Sequence, residues 1–118
     1  MSDDSTPADD GPVTFINVFE IPADQVDRFV EGWRERARIM SRAPGFRDSR
    51  LHRAMSTESR FQLVNVAHWD SREAWEAATA NPEFQANLAA LAEDTGARIS
   101  ANPALYQVAV EYDEPAGS

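Results

Sequence analysis

Two asparagines interrupt otherwise apolar rows. Asn65 stands between Leu63 and Ala67, and Asn17 stands between Phe15 and Phe19. In extended chain alternate residues share a face, so both amides fall in rows that should meet the interior. A buried amide left unpaired costs about 1–3 kcal/mol. Two of them facing one space between sheet and helices predict a pocket where their donors meet a ligand oxygen. Phe15, Phe19 and Phe61 flank them as candidate walls. The alternative is that each amide is tied to a neighbouring backbone group or a water. Trp69 ends the Asn65 row and brings an indole N–H donor to the junction with the next helix. Trp33 and Trp75 sit at helical core positions, where packing is their simplest role.

The chain has only two histidines, His52 and His68. His52 is the candidate general base, because imidazole is the side-chain type suited to proton transfer at neutral pH. Its row (Asp48, Arg50, Ala54) is polar, which fits an exposed strand histidine equally well. A hairpin centred near residue 57 or 58 sets His52 opposite about residue 63 and His68 opposite about residue 47. The two are then roughly 16 Å apart along the strands, too far to share a metal within one chain. No carboxylate pattern completes a two-histidine site, and there is no cysteine. The chain therefore reads as metal-free. All 11 basic residues are arginine, which removes Schiff-base chemistry and a phosphate-loop lysine. Among the five glycines there is neither a GxSxG motif nor a glycine-rich phosphate loop.

The elements that must position these residues follow from periodicity. Val13 to Glu20 alternates as a strand with both faces partly buried. Pro22 and Asp24 open a helix with an apolar stripe of Val26, Phe29, Val30, Trp33, Ala37 and Met40, and Ala43-Pro44-Gly45 ends it. Phe46 to Met55 and Arg60 to Trp69 form a hairpin through Ser56–Ser59. Asp70 and Glu73 read as a capping box for a second helix with Ala74, Trp75 and Ala78. Asn81-Pro82-Glu83 restarts that helix, and Leu105 to Tyr112 gives a last strand. The order β-α-β-β-α-β predicts an α+β, ferredoxin-like domain, a four-stranded antiparallel sheet with two helices on one face. Ile16, Val64 and Val66 lie on the other face, which a second subunit would cover, giving a homodimer.

The 118 residues, 42% hydrophobic and 26% charged, predict one soluble domain. It spans residues 13–112, between an acidic disordered lead-in (1–12) and a short tail (113–118). The net charge of −9 argues against nucleic acid as a partner, and much of it lies in those tails. No apolar run approaches a membrane span, and the start lacks the pattern of a secretory signal. A cytoplasmic protein is expected.

The stretches VTFINVFEIPAD, APGF, RFQLVNVAHWDSREAWEAA and NPEF resemble the antibiotic biosynthesis monooxygenase superfamily of dimeric α/β barrels. The resemblance covers about residues 13–110. It implies a cofactor-independent monooxygenase that oxidises an aromatic, polyketide-type anthrone or phenol to a quinone, with O₂ as co-substrate. In the quinone-forming branch the strand Asn and the Trp four residues later line the site, matching Asn65 and Trp69. A histidine on the preceding strand matches His52, and a tyrosine of that branch is replaced here by Trp75. An arginine of the later helix has no counterpart near Ala89 or Ala90. The resemblance thus implies Asn65, Trp69, Asn17 and His52 as catalytic, with Phe15, Phe19, Phe61 and Trp75 walling the substrate. A polyketide cyclase or a non-catalytic binding module on the same fold are the alternatives. A haem-degrading branch matches Asn17, but its helix Trp and iron-ligating His fall at Ala78 and Leu88.

Overall fold

The computed structural model describes residues 11–95 and 99–113. The expected lead-in up to residue 10 and the tail from residue 114 lie outside the described residues. The chain runs β1 (Val13–Glu20), a 3-10 turn (Ala23–Gln25), α1 (Val26–Ser41), β2 (Phe46–Arg53) and β3 (Phe61–Trp69). It continues as α2 (Arg72–Thr79), α3 (Pro82–Thr95) and β4 (Ser100–Tyr106). The sheet is antiparallel with strand order β2-β3-β1-β4. This is the α+β ferredoxin-like arrangement, with the second helix broken in two at Asn81-Pro82.

Local chemistry explains the joints. Gly45 adopts φ +89°, and a Cβ there would lie 2.5 Å from the Ala74 Cβ. Its carbonyl accepts the Asp70 N–H at 2.7 Å. The turn after α1 therefore packs against the start of α2 only because residue 45 has no side chain. The cap of α2 is Ser71, whose hydroxyl accepts the Ala74 N–H at 3.1 Å. Asp70, expected to cap it, instead meets Arg47 at 2.6 Å. Asn81 caps α3 as expected, its Oδ1 accepting the Glu83 N–H at 2.7 Å.

Two further expectations are corrected. β4 begins at Ser100, not Leu105, and the alternating residues 107–113 carry no strand assignment. β4 pairs only with β1, and such an edge position tolerates Pro103, which cannot donate to a ladder. Gln62, on the outward row, is 4% exposed because its amide donates to the Ser56 and Ser59 carbonyls and braces the hairpin loop. The hairpin register also differs by one residue: a bulge at Arg47 sets His52 opposite Val64 and His68 opposite Asp48. Residues paired across a ladder share a face, so this single step turns His52 to the side away from the helices.

The core is divided into two clusters. Phe19, Ile21, Val26, Phe29 and Leu63 form one, at the end of β1 and the start of β3. Val13, Ala67, Trp69 and Ala78 form the other, at the opposite end of the same strands. Asn17 and Asn65 fall between them.

Candidate active site

A cavity of about 520 Å³ occupies the gap between the two clusters, lined by the sheet below and by α1, α2 and α3 above. That size is ordinary for a small-molecule site, about 300–1,000 Å³. Its floor carries Phe15, Asn17 and Phe19 from β1 with Asn65, Ala67 and Trp69 from β3. Trp33, Arg36 and Met40 descend from α1, and Trp75, Phe84 and Leu88 close the side formed by α2 and α3.

Asn17 and Asn65 are directly paired across the β1–β3 ladder. Asn17 Oδ1 accepts the backbone N–H of Asn102 at 3.0 Å, and Asn102 returns its own amide to the Val18 carbonyl at 2.9 Å. A backbone N–H only donates, so the Asn17 oxygen is fixed toward β4 and its NH₂ is the free end. Asn65 Oδ1 accepts the Ser49 hydroxyl at 2.9 Å. Neither NH₂ has a hydrogen-bond acceptor among the described residues. The floor therefore presents two donors side by side, on residues whose Cβ atoms stand at the roughly 5 Å spacing of a cross-strand pair.

The walls are aromatic. Trp69, 1% exposed, packs edge-on against Phe46 with centroids 5.2 Å apart. Trp75 tilts against Phe15 at 5.4 Å, and its Nε1 is buried without an acceptor among the described residues. Phe19 meets Phe29 at 4.7 Å.

Of the residues singled out in the sequence, the structure brings Asn17, Asn65, Trp69, Phe15, Phe19 and Trp75 to one cavity. It does not bring His52 or Phe61 there. His52 is exposed on the opposite face, its Nδ1 3.3 Å from the Val64 carbonyl, for the register reason given above. Phe61 is 39% exposed under the Arg60 guanidinium, because a register shift at Phe19/Glu20 pairs it with Glu20 at the strand end. His68 lies on the outer row with Asp48, 2.6 Å away. No imidazole thus lines the cavity, and no group of three potential metal ligands gathers among the described residues.

Two cavity-lining residues have no place in the sequence analysis. Ser49, which orients Asn65, was hidden until the β2–β3 register was known. Arg36 is 6% exposed and is the single charged residue among the described cavity-lining residues. Burial pushes its guanidinium down from the usual arginine range to about 10, so it still carries its charge at neutral pH. Its signal was legible: Phe29, Trp33, Arg36 and Met40 follow the 4-3-4 spacing of one helix face.

Fold and cavity together define an α+β ferredoxin-like domain with an aromatic-walled pocket. Residues 12–90 match the family model described as antibiotic biosynthesis monooxygenase. The chain belongs to this family, and with it to the oxidoreductases. It is 35% identical over 76 residues to a mycobilin-producing haem oxygenase of Mycobacterium tuberculosis, covering 64% of this chain and 70% of that protein. SnoaB, a cofactor-independent oxygenase from Streptomyces nogalater, superimposes with a TM-score of 0.70 at 27% identity, covering 88% of this chain and 99% of SnoaB. A proposed monooxygenase from Shewanella loihica superimposes with a TM-score of 0.67 at 31% identity, covering 86% and 97% of the two chains. Among the described residues no helix is long and apolar enough to cross a membrane.

Proposed function

We propose that this protein is a cofactor-independent monooxygenase that oxidises a flat phenolic or anthrone-type aromatic to a quinone. The observation that carries the reading is the pair of amide donors, Asn17 and Asn65, free on the floor of an apolar, aromatic-walled cavity. Such donors, fixed before substrate arrives, stabilise charge on a substrate oxygen. The likeness to SnoaB supports the reaction type.

The chemistry asks little else of the protein. An anthrone loses a ring C–H proton to give an electron-rich enolate, and Asn17 and Asn65 hold its oxygen. The enolate passes one electron to O₂, and the two radicals combine at the ring carbon as a peroxide. Loss of water from the protonated peroxide leaves the quinone, so one oxygen atom of O₂ enters the product and the other leaves as water. Trp69 and Trp75 hold the ring plane, and the apolar walls keep bulk water from the peroxide. With His52 outside the cavity, the proton leaves to solvent base and the amides lower the cost of the anion. The test is oxygen uptake with dithranol in the presence of a chelator. Uptake above the uncatalysed rate, lost in Asn65→Ala, supports the reading. No uptake, with dithranol bound or cyclised instead, points to a binding module or cyclase.

Haem oxidation, named for the Mycobacterium relative, is the second reading. The resemblance to the haem-degrading branch sets its iron-ligating histidine at Leu88, and the cavity offers neither imidazole nor thiolate. The donor set does not fit haem iron.

The same proposal includes a homodimer. Ile16, Val64 and Val66 leave an apolar band on the outer sheet face, and a second copy laid on that face covers it. Light scattering should give twice the chain mass, and Val64→Arg should halve it. A wild-type monomer at micromolar concentration contradicts it.

A further inference from the structure

We propose that Arg36 is an anion-binding residue of this cavity, and that the ligand carries a carboxylate on the edge of its ring system, away from the oxygen held by Asn17 and Asn65. The inference rests on the cavity being a substrate site; it does not depend on the use of oxygen.

The distribution of arginines carries the argument. Arg34, Arg38, Arg47, Arg53, Arg60 and Arg72 are solvated, and each lies within ion-pair distance of an Asp or Glu. Arg36 is buried and has no carboxylate partner among the described residues. That is the reverse of what solvation favours, because a buried charge needs a counter-ion far more than an exposed one does. Its contacts are the Phe29 ring, 5.1 Å from the guanidinium carbon, and one long Nη1 hydrogen bond of 3.4 Å to Asn87 Oδ1. A guanidinium has five N–H donors, so a single neutral acceptor leaves most of the fork for the cavity it lines.

Position fixes the class of ligand. Arg36 hangs from α1, whereas Asn17 and Asn65 stand on the sheet, so their donors address opposite sides of whatever lies between. The planar fork matches a carboxylate through two parallel hydrogen bonds. A ring system held by the aromatic walls therefore presents a carboxylate to the helices and its reacting oxygen to the strands.

The test compares 9,10-anthraquinone-2-carboxylate with the isosteric 2-carboxamide. Binding is read at pH 7 by quenching of tryptophan fluorescence, since Trp33, Trp69 and Trp75 all line the cavity. A charge-assisted pair predicts that the carboxylate binds at least about tenfold more tightly. Arg36→Met should bring the carboxylate to the carboxamide's affinity and leave the carboxamide within about twofold. Arg36→Lys, which keeps the charge but not the fork, should retain part of the preference. Equal binding of both probes to the wild type overturns the proposal. So does an equal loss for both probes in Arg36→Met, which would make Arg36 a packing residue. If neither variant folds, the wild-type comparison still decides. Equal binding of the probes, with an alkaline shift of dithranol oxidation in Arg36→Met, assigns Arg36 to the reacting enolate and contradicts the carboxylate. Both probes are already quinones, so a carboxylate preference without oxygen uptake from anthrones keeps this inference and removes the oxygenase reading. Uptake without the preference does the reverse.

Discussion

Asn17 and Asn65 face each other across adjacent strands with their carbonyl oxygens already engaged, one by the Asn102 backbone N–H and the other by the Ser49 hydroxyl. The donor ends are therefore the ends available to a ligand. Asn65→Ala should lower dithranol turnover at least about tenfold, the scale of one lost oxyanion donor, with a melting temperature close to wild type. Asn17→Ala should cost a comparable factor and also about 1 kcal/mol of stability, because it releases the anchor of β4. Steady-state oxygen uptake beside calorimetry separates the effects. Turnover and stability falling together in Asn65→Ala would make Asn65 structural.

Two of the three cavity tryptophans, Trp69 and Trp75, should behave differently. Trp69 is 1% exposed against Phe46, so Trp69→Ala should cost about 3–5 kcal/mol in urea unfolding. The Trp75 indole holds a buried N–H with no acceptor among the described residues. Trp75→Phe removes that donor, which offsets lost packing, and should stay within about 1 kcal/mol of wild type.

Arg36 links pH to stability in a direction that can be worked out. Its folded-state value is lowered by burial from the usual arginine range to about 10. Between those limits the unfolded chain binds more protons than the folded one, so this residue's contribution to stability rises with pH across that window. At neutral pH the same burial opposes folding. Arg36→Met should accordingly melt at or above the wild-type temperature at pH 7, checked by calorimetry. A clear drop would mean that its contacts with Phe29 and Asn87 outweigh the buried charge.

His52 lies on the outer face, so His52→Ala should keep wild-type turnover with dithranol. The pH–rate profile should lack a limb at the imidazole range and rise with ionisation of the substrate. A tenfold loss in His52→Ala would place a base where the fold shows none.

Gly45 tests the scaffold. A methyl group there meets Ala74 at 2.5 Å on a backbone with φ +89°. Gly45→Ala should destabilise by more than about 1 kcal/mol, read as a lower urea midpoint.

The fold was legible because the apolar rows of β1 and β3 and the stripe of α1 carry unambiguous periods. Asn17 and Asn65 were legible because an amide in such a row has no reason to be there unless it is paired or used. His52 was misplaced by the Arg47 bulge, which no periodicity announces and which turns every later residue of β2 over. β4 begins earlier than its periodicity suggests because Ser100–Pro103 lacks strand-forming residues, while the valines of 107–113 alternate without a ladder partner among the described residues. Arg36 shares the spacing of Phe29, Trp33 and Met40, but a charge on an apolar stripe reads as its polar edge until burial shows otherwise.

The most direct test of the central claim is the fate of isotopically labelled oxygen. Dithranol oxidised under ¹⁸O₂ in ordinary water, with chelator present, should give a quinone carrying one labelled atom, formed faster with enzyme and no faster than background with Asn65→Ala. Label drawn from water, or equal rates with and without the protein, would contradict the account.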